Sequence, residues 1–227
     1  MTFKELGVTV YLDMDGLLAN LFDFVAHYYY GVEDYKQVTA EQKRDKRKIW
    51  ASKKEFYTQL AKKYDPSITE EDSVRAIFAN LPPFGKNGEL TTAIVQTVQK
   101  IVGPYNICSC PAGVDPQGCE QGKNEWIDKH LNPKPQQRIF TSVKANIATT
   151  NGVPNILIDD YPPYIEAWRA AGGEPIQMRT DEFHSASELE AFLTKELNLA
   201  KERIEKKLMQ KESFDNIYES LLLKFTL

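Results

Sequence analysis

Cysteine and histidine are both scarce in this chain of 227 residues, with three of each. Cys108, Cys110 and Cys119 are an odd number without zinc-type spacing, which speaks against a disulfide framework and leaves reduced thiols as the expectation. His27, His130 and His184 are scattered with no ligand spacing, so a histidine-bound transition metal is not expected. No apolar run approaches the roughly 20 residues that a membrane span needs, and the N-terminus has no signal-peptide pattern, so no membrane association and a cytoplasmic home are expected. Excess positive charge is missing too. The 28 basic residues against 32 acidic ones, net −4, give no reason from bulk charge to expect a nucleic-acid partner. With 42% apolar and 26% charged residues the composition is that of a globular protein, with room for one good core and a small insertion.

The most informative stretch runs from Val8 to Leu18, where an apolar strand leads into Asp13-Met14-Asp15-Gly16. Alternate residues on a strand point to opposite faces, so Asp13 and Asp15 converge only if the chain turns just after the strand, which Gly16 permits. Such strand ends are where parallel sheets bind ligands. Two carboxylates there repel each other unless a cation or a shared proton intervenes, which points to a hard metal and acid–base chemistry. The plain alternative is a capping aspartate beside a turn aspartate.

A second strand, Asn155 to Ile158, ends in Asp159-Asp160, and a parallel sheet would set that end beside the first pair. Four acids in one crevice require a divalent cation, and oxygen-only ligands suit Mg²⁺, which often bridges to a substrate phosphate. Between the pairs, Pro104 to Pro111 reads as a strand ending at Ser109, and Arg138 to Lys144 as a strand followed by a lysine. Ser109 is placed to hydrogen-bond a phosphoryl oxygen and Lys144 to neutralise it. A turn-forming serine and a solvated lysine are the ordinary alternatives.

Acid, hydroxyl, lysine and acidic pair, in that order, resemble the four motifs of the haloacid dehalogenase-like hydrolases over roughly the first two-thirds of the chain. Within that superfamily the chain is similar to the 5'(3')-deoxyribonucleotidases with their phage and bacterial relatives. The similarity lies in Asp13-Met14-Asp15-Gly16-Leu17-Leu18-Ala19-Asn20 and in the lysine-plus-tryptophan helix Lys123 to Leu131. It is looser at Ser109, at the flanking Cys108 and Cys110, and in the longer segment Ala145 to Pro154.

The resemblance implies an α/β fold with a Rossmann-like parallel sheet and a small helical cap inserted after the first strand. The implied division is 1–20 and 85–198 for the core, 21–84 for the cap and 199–227 for a C-terminal helical extension. Helical patterns support the cap: Asn20 to about Gly31, Thr39 to about Tyr64, and Pro66 to Leu81, closed by Pro82-Pro83-Phe84-Gly85. A core helix is expected over Glu89 to Val102, a stiff loop at Tyr161-Pro162-Pro163, a short helix over Tyr164 to Ala171 and a fifth strand over Glu174 to Met178. Ser187 to Leu197 closes the core. Beyond it, a charged helix through Glu212 leads to an apolar end with Phe214, Ile217, Tyr218, Leu221, Leu222, Leu223 and Phe225, a face to be covered by the same core, by a second copy as a homodimer, or by a partner.

The resemblance also implies roles. Asp13 would be the nucleophile that forms an aspartyl-phosphate, and Asp15 the acid and later the base. Mg²⁺ would be held by Asp13, the Asp15 backbone carbonyl and the Asp159/Asp160 pair, with Asp160 first for direct ligation, while Ser109 and Lys144 hold phosphate oxygens. Candidate substrate-pocket residues are Leu21, Phe22, Trp50 and Lys123. Aromatics of the cap (Phe22, Tyr28, Trp50, Phe56, Tyr57) either stack on a base or form core, and the basic run Lys43, Arg44, Lys46, Arg47 and Lys48 either attracts anions or is a solvated face. The implied activity is hydrolysis of small-molecule (deoxy)nucleoside monophosphates, in the host cytoplasm if the chain is phage-encoded. Action on nucleic-acid ends or another phosphoester, and non-catalytic phosphate or partner binding, stay open as alternatives.

Overall fold

The structure, a computed structural model, describes residues 1–42 and 53–225, with side chains through Gln210. Trp50 and the basic run from Lys43 to Lys48 lie outside the described residues. The apolar runs of the sequence become short strands: β1 (Val10–Leu12) and β2 (Asn106–Ser109), buried on both faces, and β3 (Arg138–Phe140), half-buried at the edge. A small antiparallel hairpin, β4 (Thr149–Thr150) and β5 (Val153–Pro154), occupies the long segment after Lys144. It is followed by β6 (Ile156–Asp159) and β7 (Glu174–Gln177).

The main sheet has the order β3-β2-β1-β6-β7, parallel throughout. This is an α/β Rossmann-like fold. Strand order reverses beside β1, so the carboxyl ends of β1 and β6 flank the crevice where open α/β sheets bind ligands. Strand alternation divides the core. Tyr11, Cys108 and Leu157 pack with Ala148 and Trp168 on one face, while Val10, Leu12, Ile107, Ile156 and Ile158 enter the larger cluster on the other.

Helices carry much of the rest, among them α1 (Leu21–Val25), α2 (Lys54–Tyr64), α3 (Ser73–Asn80), α4 (Glu89–Ile101), α5 (Pro116–His130), α6 (Pro162–Ala170) and α7 (Ala186–Phe225). α1 continues into a π-helical turn over Ala26–Tyr30 that ends at Gly31. The expected helix from Pro66 begins only at Ser73, because Thr69 and Asp72 first close a turn in which the Asp72 N–H donates to Thr69 Oγ1 at 3.2 Å. The expected stiff loop at Pro162-Pro163 is instead the first turn of α6, where proline's fixed φ and missing N–H cost nothing.

The helical insertion lies directly on the core. Gly122 of α5 lets α3 approach so closely that a Cβ there would meet the Arg75 carbonyl oxygen at 2.3 Å. The Trp126 indole N–H donates to the Leu81 carbonyl at 2.7 Å, and Arg75 pairs with Glu125 at 2.8 Å. The C-terminal helix likewise crosses the expected junction at residue 199 without a break. Ala200 and Ile204 are buried in the same cluster as Leu189, Leu193 and Leu197, and Arg203 and Lys207 reach the buried Glu174 of β7 at 2.5 and 3.0 Å. Among the described residues no helix is long and apolar enough to cross a membrane.

Candidate active site

Asp13 directly follows β1, and its N–H extends the ladder by donating to Ile158 O at 3.0 Å. The chain then turns sharply. Gly16 takes φ +83 and donates to Ala19 O at 3.0 Å, while the N–H groups of Leu18 and Ala19 both reach Met14 O at 2.8 Å. Two buried hydroxyls hold this turn from outside: Thr91 of α4 donates to Leu18 O at 2.7 Å, and Thr180, just after β7, donates to Leu17 O at 2.6 Å. The turn is therefore fixed by three separate elements of the core.

Two buried lysines divide the acids between them. Lys144, in a 3₁₀ turn after β3, donates to Asp13 Oδ1 at 2.7 Å and to Asp159 Oδ2 at 2.6 Å, and lies 4.5 Å from the centre of the Tyr164 ring. Lys123, on α5, is fully buried and donates to Asp15 Oδ2 at 2.7 Å, Ser109 Oγ at 2.8 Å and Cys110 O at 2.7 Å. Asp13, Asp159 and Asp160 each offer a carboxylate oxygen, all within 4.8 Å of one another. Asp15 is not in that group, because its side chain turns to Lys123. Its other oxygen, Oδ1, is buried with no hydrogen-bond partner.

Electrostatics follow from this crowding. Burial, and then the neighbouring charge of Asp13, pushes the Asp159 carboxyl up to about 7 against the pull of Lys144. Burial together with Asp13, Asp159 and Asp15 pushes Asp160 up to about 8. Burial alone would pull the Lys144 ammonium down, but Asp13 and Asp159 outweigh it and the net shift is upward. Burial also raises Asp15; Lys123 opposes that rise and Asp13 adds to it. The three clustered acids thus carry more repulsion than Lys144 relieves. An all-oxygen donor set with that imbalance fits a hard divalent cation such as Mg²⁺.

Ser109 ends β2, fully buried, where its hydroxyl accepts from Lys123. Leu21 and Phe22 open the insertion, partly buried, with the Phe22 ring 5.2 Å from that of Tyr35. Phe56 and Tyr57 of the insertion belong to the core cluster, and Tyr28 packs against it. Lys123, a candidate pocket residue from the sequence, is fully buried in the structure. It lies at the middle of α5 on the buried stripe with Cys119, Trp126 and Ile127, and a lysine at that spacing among apolar residues is the sequence signal of a paired buried charge. Sequence reading missed the rings above the two ammonium groups, Phe78 over Lys123 at 5.0 Å and Tyr164 over Lys144, since nothing in a sequence sets such contacts apart from core packing.

No family model matches the chain, and no curated protein matches it. Solved structures do. An L-2-haloacid dehalogenase from Xanthobacter autotrophicus is similar at 9% identity over 75% of this chain and 76% of that one, with a TM-score of 0.43. A phosphonoacetaldehyde hydrolase-like protein from Oleispira antarctica is similar at 14% identity over 88% and 84%, with a TM-score of 0.40. A HAD family enzyme from Bacteroides thetaiotaomicron, solved with magnesium and inorganic phosphate, is similar at 12% identity over 78% and 97%, with a TM-score of 0.39.

Proposed function

We propose that this protein is a Mg²⁺-dependent phosphomonoester hydrolase of the haloacid dehalogenase-like type, acting on (deoxy)nucleoside monophosphates through an aspartyl-phosphate. The observation that carries the reading is the meeting of Asp13, Asp159 and Asp160 within 4.8 Å at the strand-order reversal, with Lys144 touching Asp13 and Asp159.

In this reading Asp13 attacks phosphorus. Lys144 orients the Asp13 carboxylate through Oδ1 and supplies positive charge beside the transferred group. Ser109 offers its hydroxyl to a phosphate oxygen. Asp15 gives a proton from Oδ1 to the departing sugar oxygen as the phosphorus–oxygen bond breaks, then takes one from the water that hydrolyses the aspartyl-phosphate. Mg²⁺ would be held by Asp13, Asp159, Asp160 and the Asp15 backbone carbonyl, and when bound would offset the charge of phosphate and nucleophile. The nucleoside part of the reading is supported by the partly buried Phe22 and Tyr35 rings of the insertion, 5.2 Å apart and tilted by 41°, aromatic faces of the kind that stack on a base.

Phosphate release measured with and without Mg²⁺ across mononucleotides, sugar phosphates and 5'- or 3'-phosphorylated oligonucleotides tests the proposal. Mononucleotides should be cleaved fastest, and only with the metal. Preference for oligonucleotide ends would overturn the substrate class, and absence of release from every ester would overturn the activity.

A further inference from the structure

We infer that Lys123 is a positioning residue for the proton transfer: it claims one oxygen of Asp15 and so dedicates the other to the leaving group. The inference rests on the phosphatase reading above and deepens it.

An ammonium has three N–H bonds, and Lys123 uses three in contacts of 2.7 to 2.8 Å, to Asp15 Oδ2, Ser109 Oγ and Cys110 O. No part of it is exposed, and the edge of the insertion covers it, with the Phe78 ring 5.0 Å away. Burying such a group is costly unless every donor is satisfied, and here each is. Lys123 therefore has no free donor for a substrate.

The consequence falls on Asp15. Of its two oxygens, Oδ2 is bound to Lys123, and Oδ1 is buried with no partner among the described residues. An unpartnered buried carboxyl oxygen is expensive to maintain and finds its partner when a ligand arrives. Asp15 lies beside Asp13, so a leaving oxygen on a phosphate attacked by Asp13 is the group that would meet it. The proton passes from Asp15 Oδ1 to that oxygen as the bond to phosphorus breaks and the Asp13–phosphorus bond forms. The negative charge left on Asp15 is held by Lys123, which keeps its own three protons, and a proton from the attacking water later restores Oδ1. One side chain thus fixes the carboxyl's rotation, stabilises its anionic form and ties it to the Ser109 loop that is to hold the phosphate.

The test is a double-mutant cycle on the full chain with Lys123→Met and Asp15→Asn, read as single-turnover phosphorylation with a deoxynucleoside 5'-monophosphate and with p-nitrophenyl phosphate. Lys123→Met alone should slow the nucleotide by about a hundredfold or more, a general-acid magnitude. It should slow the nitrophenyl ester, whose leaving oxygen needs little protonation, less than tenfold by the same reasoning. In the Asp15→Asn background it should cost less than about twofold more. A lysine that only braces the Ser109 loop would cost the same with both esters and in both backgrounds, and that result overturns the inference. Lys123→Gln provides a second variant should the first not fold. Should neither fold, the ¹⁵N-detected ammonium protons of Lys123 in the wild-type chain should exchange slowly and shift on Asp15→Asn; an unmoved signal would overturn the inference as well. If Asp15→Asn itself slows both esters alike, the acid role of Asp15 fails and the inference goes with it. If Asp15→Asn discriminates between the esters and Lys123→Met does not, the inference alone fails.

Discussion

Gly16 and Asp160 approach each other so closely that a Cβ on Gly16 would lie 2.4 Å from Asp160 Oδ2. The second acidic motif thus packs on the turn of the first, and only a residue without a side chain leaves the Asp160 carboxylate where it is. The backbone makes the same demand, since φ at Gly16 is +83.

Gly16→Ala should therefore act twice. The left-handed backbone costs an alanine about 1 kcal/mol, and the methyl group displaces Asp160 from Asp13 and Asp159. Expected are a small fall in melting temperature and a loss of Mg²⁺ affinity of tenfold or more, on the scale of about 1.4 kcal/mol per decade, read by calorimetric titration. Unchanged Mg²⁺ affinity would remove Asp160 from the metal site.

Asp13→Asn separates chemistry from folding. The amide keeps the shape but cannot form the acyl phosphate, so turnover should fall by at least about a thousandfold. The substitution also takes one negative charge away from Asp159 and Asp160, both of which Asp13 pushes up. The melting temperature of the metal-free chain near pH 8 should hold or rise. Beryllium fluoride, which imitates a phosphoryl group on a carboxylate, should inhibit the wild type and leave the variant's Mg²⁺ binding untouched. Turnover surviving in a purified variant would end the covalent assignment.

A pH dependence follows from the same acids. Asp159 and Asp160, at about 7 and about 8 when folded, hold protons that an unfolded chain releases near the ordinary aspartate value. The protonated forms favour the folded state. Their contribution is complete below the unfolded value, shrinks as pH rises toward 7 to 8, and is gone above. The metal-free chain should lose melting temperature between pH 6 and 9 while the increment given by Mg²⁺ grows, because the cation needs the carboxylates ionised. Melts with EDTA and with Mg²⁺ across that range check both slopes; an increment that does not change with pH would mean that the acids are already ionised without metal.

The parallel sheet and its two acidic strand ends were legible because β1 and β6 are apolar runs with aspartates where the chain must turn, a pattern that period and composition alone expose. Lys144 could be placed by its position after β3. What stayed hidden depends on contacts between distant segments. Whether the Asp15 side chain joins the other acids or turns away depends on Lys123, 108 residues later in the chain. Local spacing could place Lys123 on a helix but not tell which atom it would reach. The start of α3 was misjudged because Thr69 and Asp72 carry the marks of a helix N-terminus yet close a turn of their own. The extension from residue 199 read as separate because its charges hide Ala200 and Ile204, which the Glu174 pairing with Arg203 and Lys207 draws into the core.

Gly122 decides how firmly the insertion is held, and therefore whether it moves. α3 crosses α5 at that glycine, with the Arg75 carbonyl oxygen where a Cβ would come within 2.3 Å and Phe78 Cβ at 3.0 Å. Backbone cannot yield as a flexible side chain can. Gly122→Ala should accordingly cost about 1–3 kcal/mol for overpacking, reduced by roughly 0.5–1 kcal/mol for alanine's better helix propensity, so that the net effect is destabilising. α3 and α5 would have to part, weakening the Trp126–Leu81 and Arg75–Glu125 contacts and loosening the cover that Phe78 gives Lys123. Denaturant unfolding should show the lower stability, and hydrogen exchange should quicken in α3 and the first half of α5 while β1 and β6 stay protected. A Gly122→Ala protein as stable as the wild type, with exchange unchanged, would mean that α3 is free to lift off α5, and the insertion would then be a mobile lid in place of a fixed wall.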